Sequence, residues 1–124
     1  VTDRTFRIPS VRLAEAHSAA ATWVYEFAWR SPARDGALGA GHCLDLPFVF
    51  DDLSAPGVAE VAGDHPPQHL ADAMHGAWVS FVTDLDPGWT PYAPGQRATM
   101  VFDTDPHLAD DPLQKVRDVW EGIA

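Results

Sequence analysis

At 124 residues, with 46% hydrophobic and 21% charged, the chain has room for one domain and the composition of a folded protein, its 11 Pro and 9 Gly notwithstanding. Eighteen acidic against 8 basic residues give a net charge of −10, which excludes nucleic acid and anionic membranes as natural partners, since neither would gain from counterion release or surface attraction. The single cysteine, Cys43, cannot close an internal disulfide and so favours the cytoplasm over an oxidising compartment. No apolar run approaches the ~20 residues of a membrane span. The opening Val1-Thr2-Asp3-Arg4 is neither a signal peptide nor an initiator methionine, which leads to the expectation of a fragment.

The first predicted element is a helix over residues 4–21, where Phe6, Ser10, Leu13, Ala14, His17 and Ala21 recur at helical spacing. Thr2 or Asp3 is its candidate N-cap, and Pro9 must lie near its start or kink it. Residues 22–29 read as a strand, because Trp23, Tyr25, Phe27 and Trp29 alternate with Val24, Glu26 and Ala28. A loop over 31–42 carries Pro32, Gly36, Gly39 and Gly41. Residues 44–50 form a compact apolar run that predicts a short turn or helix, and 55–67 read as a second loop. The spacing of Leu70, Met74, Ala77, Trp78 and Phe81 predicts a helix over 67–83, entered after Pro66-Pro67 and ended before Asp86-Pro87-Gly88. An extended stretch over 89–97, a short strand at 98–102 and a terminal helix at 112–121 complete the chain. The two strands are expected to pair antiparallel, with the first helix on one face. Two strands do not make a stable sheet. The pattern therefore fits either a piece of a larger sheet protein or a small α+β domain that covers its own strand.

The six histidines carry what chemistry the pattern offers. His65 and His69, with Asp64 and Asp72 nearby, have metal-ligand spacing, but Pro66-Pro67 interrupts the register; solvated histidines on a helix face are the plainer reading. His17 reads as an interior or half-buried helix residue and His107 as part of a polar turn. His42 and Cys43 are adjacent and point apart, so Cys43 reads as a small hydrophobe rather than a nucleophile paired with its base. His42 ends a glycine-rich loop that leaves a buried strand, which is where a sheet enzyme places a general base. A structural histidine fits the same pattern. There is no Gly-x-Ser-x-Gly, Walker loop, dinucleotide fingerprint or Cys-x-x-Cys, and no cofactor is implied.

Taken in order, several segments resemble one family. They are Asp3-Arg4-Thr5-Phe6-Arg7-Ile8-Pro9 with Arg12-Leu13-Ala14-Glu15-Ala16, then Val24-Tyr25-Glu26-Phe27-Ala28-Trp29-Arg30-Ser31-Pro32. Next come Gly39-Ala40-Gly41-His42-Cys43-Leu44-Asp45-Leu46-Pro47-Phe48-Val49-Phe50 and Met74 through Trp78 and Phe81 to Asp86-Pro87. Trp89-Thr90-Pro91-Tyr92 then leads to Arg97-Ala98-Thr99-Met100-Val101-Phe102-Asp103. Together they resemble the C-terminal part of type-B carboxylesterases, the α/β-hydrolase family that includes para-nitrobenzyl esterases and cholinesterases. The resemblance implies an α/β fold, with helices packed on a short two-stranded edge of the sheet. It implies that His42 is the histidine of a Ser, Asp/Glu, His triad whose first two members precede Val1. Asp45 stands where the family often has Glu and is implied as a supporting residue. The implied activity is carboxylic ester hydrolysis of small-molecule substrates by the whole enzyme, with residues 1–124 inactive alone and prone to homo-oligomerise through uncovered apolar surface. The competing readings are an esterase-like interaction module without catalysis and a small acidic metal-binding domain on His65, His69 and Asp72.

Overall fold

The computed structural model describes residues 2–17 and 20–123. The chain opens with a wide π-type turn, Asp3–Arg7, that runs into helix α1, Ile8–Ala16. Pro9 sits in the first turn of α1, where its missing N–H costs least. The wider turn before it relieves the clash a proline makes with the carbonyl four residues back. Thr2 makes no side-chain cap, contrary to expectation, and the helix stops at Ala16 rather than at residue 21. Ser18 and Ala19, inside the expected helix, lie outside the described residues.

Strand β1 is Val24–Phe27, followed much later by β2, Ala98–Phe102, and β3, His107–Asp110. The sheet order is β1-β2-β3. β1 and β2 are neighbours, as expected, but they run parallel, pairing Tyr25 with Met100 and Phe27 with Phe102. This corrects the antiparallel expectation. Between them lies a long crossover with three helices, which is what a parallel connection demands. The composition of β2 fits that role: Ala98, Thr99, Val101 and Phe102 are all buried, so the strand is covered on both faces. The sheet has three strands rather than two, because Asp103-Thr104-Asp105-Pro106 turns the chain back and β3 pairs antiparallel with β2. His107 heads this strand instead of sitting in a turn.

The crossover holds α2 (Leu46–Val49), α3 (Val58–Ala62) and α4 (Gln68–Asp84), and the chain ends in α5 (Gln114–Val119). Of these, α3 falls in a stretch read as loop. The core lies between one sheet face and α2–α4. Tyr25, Phe27 and Trp29 from β1 and its extension, with Phe102 from β2, meet Phe48, Leu70 and Met74. Ring centroids of Phe48 stand 5.4 Å from Phe27 and 5.2 Å from Trp29. α1 serves the other side, burying Ile8 and Val11, with Arg7 reaching Glu26 at 3.7 Å and Glu15 holding Arg97 at 3.0 Å. Among the described residues no helix is long and apolar enough to cross a membrane.

Candidate functional site

β1 ends by wrapping onto its neighbour: the N–H groups of both Ala28 and Trp29 donate to the Phe102 carbonyl, at 2.8 and 3.2 Å. The chain then enters a loop closed by a bridge between Ser31 and Gly39, whose N–H···O distance is 3.1 Å. Ser31 is fully buried. Its hydroxyl donates to the Val61 carbonyl at 2.5 Å and accepts the Ala33 N–H at 3.0 Å, tying the loop to α3. Within the loop Arg34 and Asp35 have φ of 53° and 55°, a left-handed backbone that bends it back sharply.

His42 stands on the next turn. The Leu44 N–H donates to the Gly41 carbonyl at 3.2 Å, which places His42 and Cys43 at the two central positions. Cys43 takes φ 63°, where a β-carbon is strained and glycine is the usual occupant. Leu44 is buried in the core directly after it. The turn is therefore pinned on both sides while His42 and Cys43 face outward, both exposed. An imidazole so held lies beyond the carboxyl end of a parallel strand, where open α/β sheets place their ligands.

No protein-family model matches the chain. The para-nitrobenzyl esterase of Bacillus subtilis (strain 168) is 31% identical over 126 residues, covering 94% of this chain and 25% of that protein. A carboxylesterase structure from Geobacillus stearothermophilus superposes with a TM-score of 0.80 at 36% identity, over 96% of this chain and 26% of its own. Over nearly its whole length the chain is homologous to a segment of carboxylesterases of the para-nitrobenzyl esterase type. A structure of PNB esterase superposes with a TM-score of 0.82 at 29% identity, over 95% of this chain and 26% of its own. Phenmedipham hydrolase of Pseudarthrobacter oxydans is 41% identical over 66 residues, 51% of this chain and 13% of that protein. The chain thus spans about a quarter of the length of the first of these relatives and of both structures, and its mixed sheet with helices is part of the α/β-hydrolase fold.

Asp45 lies one turn beyond His42 at the head of α2, where its carbonyl accepts the Phe48 and Val49 N–H groups at 3.1 and 2.9 Å. Its carboxylate faces the Tyr25 hydroxyl of β1 at 3.4 Å. Burial, and then the Asp45 charge, push the Tyr25 phenol up to about 12, so it stays a neutral donor. Tyr25 is the residue a sequence reading passes over. It counts there as one aromatic of an alternating strand, and its partner lies twenty positions away across the loop. His75 is a second such residue: its Nδ1 meets the Val49 carbonyl at 2.9 Å and ties α4 to the end of α2.

The other candidates do not converge. His69 places Nε2 2.6 Å from the Thr104 carbonyl, and the Asp72 carboxylate accepts from Gln68 at 2.9 Å. Among the described residues no three His, Cys, Asp or Glu side chains gather as a metal site. His17 is exposed rather than half-buried, with Nδ1 2.8 Å from the Thr22 hydroxyl.

Proposed function

We propose that the chain is the part of a serine carboxylesterase that supplies the general base, His42, with Asp45 as a supporting residue. The observation that carries the reading is the exposed His42 on a pinned turn beyond the carboxyl end of β1, in a chain related to esterases. In this role His42 takes the proton of a serine hydroxyl as it attacks the ester carbonyl and gives it to the departing alcohol. It then repeats the exchange with water to release the acid. An imidazole can both accept and return a proton near neutral pH. Serine, acid partner and oxyanion donors come from carboxylesterase polypeptide other than residues 1–124, so these residues alone hydrolyse nothing efficiently. The substrates are small carboxylic esters.

Two measurements test this. Residues 1–124 alone should cleave p-nitrophenyl esters no faster than an exposed histidine peptide, because the catalytic groups fail when separated. In a carboxylesterase chain containing these residues, His42→Ala should lower turnover by roughly 10⁴ with the fold intact. Saturable turnover by residues 1–124 alone, or full activity in the variant, would overturn the assignment.

A further inference from the structure

The helices are attached in two different ways. α4 is anchored by the buried apolar side chains Leu70, Ala71 and Met74. The segment from Asp111 to Ile123, which follows β3 and contains α5, has no buried residue, and Val119 and Ile123 leave 69% and 48% of their surface exposed. Charged groups hold it instead. The Asp111 carboxylate accepts from Arg117 at 2.5 Å and stands 4.0 Å from the Arg97 guanidinium, which pairs with Glu15 of α1 at 3.0 Å. The Asp111 N–H donates to the Arg97 carbonyl at 3.2 Å. At the far end of the segment, Arg12 of α1 donates to the Trp120 and Ile123 carbonyls at 3.1 and 2.5 Å. Three of the eight Lys and Arg side chains thus serve this one attachment, in a chain of net charge −10. Beneath the segment is a small cavity that Leu113 shares with Val11, Val24, Tyr92 and Thr99.

The two kinds of attachment respond differently to salt. The screening length falls from about 10 Å at 0.1 M salt to about 3 Å at 1 M. Solvent-facing ion pairs, and a guanidinium held at the carbonyl end of a helix, weaken accordingly. Burial of apolar surface involves no charge and keeps its strength. Segments with few buried apolar contacts are also the ones that open locally while the remainder stays folded. We propose that residues 111–123 form a salt-released strap: rising ionic strength opens them as one unit and uncovers the cavity between α1 and the sheet, while the α2–α4 side stays closed. Asp111 is the hub of the latch, because its carboxylate joins Arg117 within the strap to the Arg97–Glu15 pair beneath it. The strap lies apart from the turn that carries His42 and is independent of the role proposed for it.

The test is amide hydrogen exchange of the whole chain at constant pH, in 0.05 M and in 1 M sodium chloride (roughly 14 Å and 3 Å of screening length). Rates are taken relative to an unstructured peptide of the same sequence at each salt. The amides of residues 117–123 should exchange at least about fivefold faster at high salt, and those of residues 70–81 should change by less than about twofold. Asp111→Asn keeps a residue that tolerates the left-handed backbone found there, φ 47°, and removes only the charge. In this variant the strap should exchange at low salt as fast as the wild type does at high salt, and its remaining salt response should be under about twofold. Lys115→Gln, which removes a charge from an exposed position of α5, should leave the wild-type response in place. Salt-independent exchange of residues 117–123, or an equal acceleration of residues 70–81, would overturn the proposal. So would a full salt response in Asp111→Asn, or its loss in Lys115→Gln, which would trace the effect to overall charge rather than to the latch.

Discussion

The two ends of β1 are finished in opposite ways. At the carboxyl end, Phe27 and Trp29 pack on Phe48, and the chain passes through a loop closed by the Ser31–Gly39 bridge and the Gly41–Leu44 turn that carries His42. At the amino end, Trp23 and Tyr25 border an open groove whose far wall, Trp78 and Phe81, is only partly covered. The same alternation of aromatic residues serves both ends. What differs is whether the crossover helices close over them. A closed end can hold an imidazole in a fixed position, because close-packed side chains resist small displacements. An open end cannot do so, and among the described residues β1 has no strand on that side.

This contrast is sharpened most by Phe48→Ala. Phe48 is fully buried against two rings, so its loss should cost about 3–5 kcal/mol. Urea denaturation of residues 1–124 would show the drop, and a change under 1 kcal/mol would mean that the carboxyl end is not packed as described. The next effect belongs to the turn itself. Cys43 is exposed, so a substitution there reports backbone strain rather than lost packing. Cys43→Val should destabilise by about 1–2 kcal/mol, since a β-branched residue tolerates left-handed backbone poorly. Cys43→Gly should be neutral or slightly stabilising, and equal stabilities for the two variants would argue against the turn.

A smaller effect is expected from pH at the junction of the two ends. Tyr25 in the folded chain is pushed up to about 12, above its ordinary 10, chiefly by burial. Above pH 10 the unfolded chain loses this proton while the folded chain keeps it, so stability should fall as pH rises from about 10 to 12. Tyr25→Phe should flatten that part of the profile; an unchanged slope would show that the phenol is not buried beside Asp45. The smallest effect is at the open end. Phe81→Ser should change the stability of residues 1–124 by no more than about 0.5–1 kcal/mol. A loss on the scale of Phe48→Ala would mean that the groove is part of the core.

Sequence pattern alone located the elements whose signal is local. The aromatic alternation of residues 22–29 contains β1, and the stripe from Leu70 to Phe81 lies within α4, Gln68–Asp84. The direction of strand pairing was not legible, because parallel and antiparallel ladders use the same alternation and differ only in how the distant crossover runs. β3 escaped notice for another reason: His107, Leu108 and Asp110 are exposed, so they show no buried face to betray a strand. α3 has five residues between Gly57 and Gly63, and its flanking glycines and prolines read as loop. The place of His42 after a strand and a glycine-rich loop fitted a structural histidine as well as a general base, and its candidacy as the base came from the family resemblance. The contact of Tyr25 with Asp45 did not, since it exists only once the loop has folded back.

The central claim is that the packed end of β1 presents His42, and no other histidine, as the base that activates a serine. The most direct measurement is the rate at which a fluorophosphonate labels the serine of a carboxylesterase containing residues 1–124, compared among wild type, His42→Ala and His75→Ala. The reaction depends on the base that takes the serine's proton, so His42→Ala should slow labelling by roughly 10²–10⁴. His75→Ala, which removes the bond to the Val49 carbonyl, should leave the rate within about threefold. Unchanged labelling in His42→Ala, or equal losses in the two variants, would contradict the account.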